Sequence, residues 1–139
     1  MAFINVVGDR QLSYTSLLQP GVLPPVIGSF TFNTLNTISF DVGAIVPNTA
    51  KQLNVTVNID CGYAGVASKF NVWLWTELDN GQQDVKFKQG SRYPQNAISN
   101  DSETFSFAYS SKSPKLFLKS DYDQNQNLSI NLFAVGYAQ

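Results

Sequence analysis

Residues 37–60 read TISFDVGAIVPNTAKQLNVTVNID, and they contain two runs in which apolar and polar residues alternate. In residues 37–42, and again in residues 52–59, every second side chain is apolar. A period of two is typical of a strand with one face buried and the other in water. Pro47 has no backbone N–H for a central ladder, so we expect a surface loop between the runs.

The same alternation recurs along the chain from residue 28, with runs at residues 28–33, 69–78, 83–88, 104–109, 115–119 and 127–135. Short strands at this spacing are typical of a sandwich or barrel. About eight strands without helical periodicity predict an all-β fold, an antiparallel two-sheet β-sandwich of jelly-roll type. An immunoglobulin-like sandwich is the alternative, although a single cysteine rules out the disulfide of its best-known members.

The alternating runs also predict the core between the two sheets. We expect it to contain the side chains on the apolar faces, namely Phe40, Val55, Val57, Phe70, Val72, Leu74, Phe105, Phe107, Ile130 and Leu132. The polar residues 89–102 are expected to form a long surface loop.

The composition of the chain limits the kinds of function that it can have. The chain has 139 residues, of which 43% are hydrophobic and 14% charged, so it can bury one core without a disulfide or metal. Its net charge is −1 and its basic residues are scattered, so nucleic acid is not an expected ligand. We predict no membrane span, because apolar runs are short, and no secretory signal at the N-terminus.

Residues 1–27 differ in sequence pattern from residues 28–139. We therefore predict an extended N-terminal arm at residues 1–27, followed by the sandwich domain at residues 28–139. Residues 19–27 read QPGVLPPVI, which is apolar and is held extended by its prolines. These apolar groups must be buried, either across the edge of their own domain or on a neighbouring subunit. We expect contacts outside the sandwich, because the prolines keep the arm out of a central position in a sheet.

Catalytic and metal chemistry have little support in the sequence. The chain contains no histidine, which removes the usual general base and any Ser-His or Cys-His nucleophile. Asp121, Asp123 and Asn125 are spaced like the opening of a calcium loop, but the glycine and glutamate that such a loop needs are replaced by Gln126 and Leu132. We therefore predict a non-enzymatic protein without a catalytic, cofactor or metal site, and these three residues are only weak calcium candidates.

Trp73 and Trp75 are the most conspicuous side chains of the chain. They share one face of the strand at residues 69–78, opposite Val72 and Leu74. Two tryptophans on one face are typical of a packing surface or a subunit interface. The alternative is a platform on which a sugar ring stacks.

Residues 38–50 (ISFDVGAIVPNTA) and 52–57 (QLNVTV) resemble a strand-loop-strand segment of small β-sandwich virion proteins of bacteriophages. The resemblance carries no functional residues across. It implies a structural virion component, such as a capsid vertex, decoration or fibre protein, in a symmetric trimer or pentamer with other virion proteins as partners. The virion would then be its location, with the cytoplasm as the alternative.

A carbohydrate- or receptor-binding module is the alternative function. Its site would be the face of Trp73 and Trp75 or the segment at residues 89–102, and a host-surface glycan would be the partner.

Overall fold

The computed structural model describes residues 2–7, 10–32, 36–61, 68–92, 99–121 and 128–139. All regular secondary structure in these ranges consists of β-strands, as the alternating runs predict. The ten strands are β1 (Ala2–Val7), β2 (Arg10–Ser16), β3 (Val26–Phe32), β4 (Ile38–Asp41), β5 (Gln52–Cys61), β6 (Ser68–Glu77), β7 (Gln83–Arg92), β8 (Ser99–Ala108), β9 (Lys115–Ser120) and β10 (Leu128–Ala138).

Two antiparallel sheets form the sandwich. The large sheet has the order β1-β2-β10-β5-β8, with β3 also paired to β10, and the small sheet has the order β4-β9-β6-β7. Four nested pairs, β3 with β10, β4 with β9, β5 with β8 and β6 with β7, alternate between the sheets. This is the winding of a jelly roll. The fold prediction is confirmed, and the immunoglobulin-like alternative, with its different strand order, does not apply.

The core lies between the sheets on the faces that the alternation predicts. The buried residues of the predicted set are Val55, Val57, Val72, Leu74, Phe107, Ile130 and Leu132. Phe40 and Phe105 are partly buried against this core, and the side chain of Phe70 lies outside the described part of the chain. The predicted register of the central strands is therefore correct.

Residues 1–27 contain β1 and β2 and end inside β3. β2 pairs with β10 at residues 136–138, and β3 pairs with the same edge of β10 at residues 128–133. Between them, residues 17–25 leave the sheet in a loop with a tight turn, in which the Val22 N–H donates to the Gln19 carbonyl at 3.2 Å and Gly21 has a φ of 72°. Proline before a glycine of positive φ is typical of a type II turn. The division at residue 28 thus falls within a strand, and contacts of the arm outside the sandwich stay a prediction.

The long surface loop expected at residues 89–102 is wrong in extent. β7 continues to Arg92 and β8 begins at Ser99, so only residues 93–98 lie outside the described chain between them. The sequence pattern failed here because charged and polar side chains replace apolar ones on these two strands, which lie at the edges of their sheets.

Candidate functional site

The site is built on β6, where the alternation of the strand separates two sets of large side chains. Val72 and Leu74 are fully buried in the core. Trp73 and Trp75 therefore lie on the outer face of the small sheet, where they are partly exposed. A packing surface, a subunit interface and a ligand platform all stay predictions for these two tryptophans.

Each tryptophan lies against an aromatic ring of a neighbouring strand. Trp73 is directly opposite Phe87 of β7, with ring centroids 5.7 Å apart and the rings tilted by 51°. Trp75 is opposite Phe117 of β9, and these rings stack almost parallel, 5.5 Å apart at 8°. Stacked and tilted pairs at these separations are favourable arrangements for aromatic rings. The four rings thus form a fixed aromatic surface on a three-stranded scaffold.

A groove of about 520 Å³ runs beside this surface. Trp73, Trp75 and Val85 form its apolar wall, and its polar lining consists of Gln83, Lys119, Ser120 and Asp121. Val85 is 48% exposed and Phe87 50% exposed. Large apolar side chains clustered in the open on a sheet face are typical of a binding surface.

The two charged side chains of the groove, Asp121 and Lys119, differ in their bonding partners. The carboxylate of Asp121 accepts the backbone N–H of Asn71 at 2.8 Å and its side-chain amide at 2.6 Å, which fixes its orientation. Lys119 is opposite Trp73 on β9 and exposed. Within the described residues Lys119 forms no ion pair. The groove therefore offers one oriented acceptor and one cation beside an apolar wall.

The indole N–H of Trp75 is buried, and no residue in the described chain accepts a hydrogen bond from it. A buried donor without a partner costs roughly 1–3 kcal/mol. Because this atom is out of reach of solvent, a ligand in the groove would not accept a hydrogen bond from the indole N–H of Trp75.

The outer face of the large sheet has a different chemistry. Its short polar side chains pair across the strands, as when Ser29 donates to Asn131 at 2.6 Å and the hydroxyls of Thr56 and Thr104 lie 2.7 Å apart. Such a face satisfies its own hydrogen bonds. The concentration of exposed aromatic surface on the small sheet makes that sheet the better candidate site.

Of the three weak calcium candidates, the structure describes only Asp121. Asp121 is bound to Asn71, while Asp123 and Asn125 lie outside the described residues. Within the described ranges, three or more acidic or cysteine side chains nowhere meet in a group that could hold a metal ion.

Sequence reasoning missed two rings of the aromatic surface and one apolar residue of the groove wall. The alternation of the strands that contain Val85, Phe87 and Phe117 was recognised. Which side chains these residues meet on the sheet depends on strand pairing, which the alternation does not reveal. In residues 83–88 and 115–119, the apolar residues that alternate with lysine were the available signal.

The comparison with protein families finds no matching family, and the comparison with curated proteins finds no matching relative. Among solved structures, the chain is similar to the CBM22-1 xylan-binding domain from Paenibacillus barcinonensis Xyn10C. The identity is 9%, the TM-score is 0.42, and the match covers 99% of this chain and 80% of the other. In the part of the chain that the structure describes, no helix is long and apolar enough to cross a membrane.

Proposed function

We propose that this protein is a non-enzymatic binding module whose small sheet binds a glycan in the groove beside Trp73 and Trp75. The single observation that carries the proposal is the open groove with two tryptophans on a rigid sheet. The absence of histidine from the sequence supports a binding role rather than catalysis.

The chemistry of the groove fits a sugar ring. One face of a pyranose carries mainly C–H groups, which pack on an aromatic ring, while its hydroxyls need hydrogen-bond partners at the edge. Trp73 and Trp75 supply the aromatic wall, and Gln83, Lys119 and Asp121 supply polar groups beside it. Ligand sites of this kind combine an apolar lining with a few fixed polar groups.

The proposal is tested by a glycan array followed by calorimetry on the best ligand. Trp73→Ala should weaken binding at least tenfold, which corresponds to about 1.4 kcal/mol. Leu23→Ala is the matched control, because Leu23 is 80% exposed but lies in the loop at residues 17–25, away from the groove. Binding that survives in W73A, or an array without any ligand for the wild type, would contradict the proposal.

A second candidate function is a structural component of a bacteriophage virion. The resemblance at residues 38–57 supports it, and so does an exposed apolar patch on the loop between β2 and β3. This loop patch consists of Leu18, Val22 and Leu23, together with Val26 at the start of β3, all more than half exposed. Exposed clusters of this kind are typical of contacts between proteins.

In this second role the chain would form a symmetric homo-oligomer, join other virion proteins and reside in the virion. The mass of the purified protein in solution tests the oligomer. An assembled species of fixed size is expected, and a monomer at every concentration would count against this role.

A further inference from the structure

Each free edge of the two sheets is a surface at which another chain could pair. β1, β3 and β8 each have one unpaired edge in the large sheet, and β4 and β7 have one each in the small sheet, among the described strands. An unpaired edge presents a row of N–H and C=O groups that can pair with another chain. Proteins therefore block edges that are not meant for association.

The edges of β7 and β8 are blocked by side chains that bridge the sheets. The carboxylate of Asp84 accepts the backbone N–H of Ala108 at 2.7 Å, and the Thr76 hydroxyl donates to the carbonyl of the same residue at 2.6 Å. Lys88 extends the bridge to Asp101 at 3.0 Å and Glu103 at 2.9 Å. A strand added here would have to displace these contacts.

The edges of β3 and β4 are blocked in other ways. β3 follows directly on Pro24 and Pro25, and its ladder with β10 is interrupted by a shift in register. β4 is only four residues long, and the ring of Phe40 at its centre lies against Gly28 of β3. Prolines, irregular pairing and short length all disfavour added strands.

β1 has neither a proline nor a shift in register. Its six residues read AFINVV, without charge or proline, and all six pair with β2 in an unbroken register. Antiparallel ladder bonds alternate in direction, so every second residue of β1 directs its N–H and C=O away from β2. Phenylalanine, isoleucine and valine also favour a strand.

We propose that β1 pairs antiparallel with β1 of a second copy of this chain across a two-fold axis, so that the two large sheets become continuous. An axis through Asn5 would pair residues 3–7, with Phe3 opposite Val7 and Ile4 opposite Val6. Aromatic and β-branched residues are favourable cross-strand partners. Because the edge carries no charge, self-pairing places no like charges opposite each other.

This inference deepens the self-association in the second proposed role and is independent of glycan binding. Edge pairing across a two-fold axis requires an even number of copies, in contrast to the trimer or pentamer that the virion resemblance implies. The mass in solution separates the two.

The test is sedimentation of the full chain and of three variants. Wild type should be a dimer or a multiple of one, and Ile4→Val should behave in the same way. Ile4→Lys places a charge in the middle of the edge, at a position paired with the exposed Ser13, and should be monomeric with unchanged β-type circular dichroism. Val6→Lys is the second disrupting variant.

Hydrogen exchange of wild type provides a measurement that needs no variant. The amides of β1 should exchange more slowly at high than at low protein concentration, because pairing protects those at the free edge. A trimer or pentamer, dimers that persist in I4K and V6K, or β1 exchange that does not depend on concentration would each overturn the proposal. Glycan binding by I4K, whose groove lies on the other sheet, reports separately on the proposed function.

Discussion

Each residue of the central strands belongs to one face, and its face decides what its side chain contributes. Val57 and Leu74 are fully buried between the sheets, while Val85 of β7 is half exposed. Truncating Val57 or Leu74 to alanine should lower the free energy of unfolding by about 2 to 4 kcal/mol, through lost burial and a residual cavity. Urea denaturation measures this loss.

Val85→Ala is the matched control for Val57→Ala, because it removes the same atoms from a half-exposed position. It should cost less than about 1 kcal/mol, since little apolar surface leaves solvent there. Equal losses at the two valines would contradict the assignment of inner and outer faces.

At the scale of strands, β7 and β8 are joined through side chains across the edge of the sandwich. The Lys88 side chain, only 10% exposed, contacts both Asp101 and Glu103. Burial by itself lowers the pKa of Lys88, but its hydrogen bonds and attraction to the two carboxylates outweigh this and raise the pKa above the ordinary value. A raised pKa stabilises the fold below the ordinary pKa of about 10.4, and this stabilisation is lost as the pH rises through the folded-state pKa.

Lys88→Met should therefore be less stable than wild type at neutral pH, by about 1 to 2 kcal/mol, between the ranges for exposed and buried ion pairs. The difference should shrink as the pH rises above 10.4 and through the raised pKa of Lys88 in the folded state. Comparing the two proteins at each pH removes the shared effect of Tyr109, whose pKa burial also raises. Lys112→Met is the control, because the Lys112–Asp79 pair is exposed and 3.8 Å long. If the stability difference between wild type and K88M widened with rising pH, this role of Lys88 would be contradicted.

At the scale of the molecule, the N-terminal residues contribute unequally to the sandwich. β1 lies beyond β2 at the edge, whereas the loop after β2 is bound to β10 by hydrogen bonds from the Leu17 N–H to the Val135 carbonyl and from the Ala134 N–H to the Pro25 carbonyl. At a protein concentration where the chain is monomeric, deleting residues 1–9 should leave the melting temperature nearly unchanged. Deleting residues 1–27 should lower it by several degrees, because it removes β2, part of β3 and the packing of Leu17 and Ile27 on the core.

Circular dichroism during heating measures both truncations. If the protein without residues 1–27 melts at the same temperature as the full chain, residues 28–139 are stable without the arm, as the predicted division requires.

The sequence by itself determined the eight strands of the jelly roll and the inward face of the central ones, as Val57 on β5 and Leu74 on β6 demonstrate. It also separated Trp73 and Trp75 from the core. These features are local, because the period of a strand is two residues and a one-residue slip would invert every face. No information from distant residues is needed to read them.

Only the tertiary structure decided which strands are neighbours. It brought Phe87 and Phe117 against the two tryptophans, attached β2 and β3 to the same edge of β10, and joined Lys88 to β8. The physical reason is that backbone hydrogen bonds are the same for every strand, so a strand's own residues specify its faces but not its partner. Partners are chosen by the packing of the whole core, and the aromatic groove and the free edge of β1 follow from that choice.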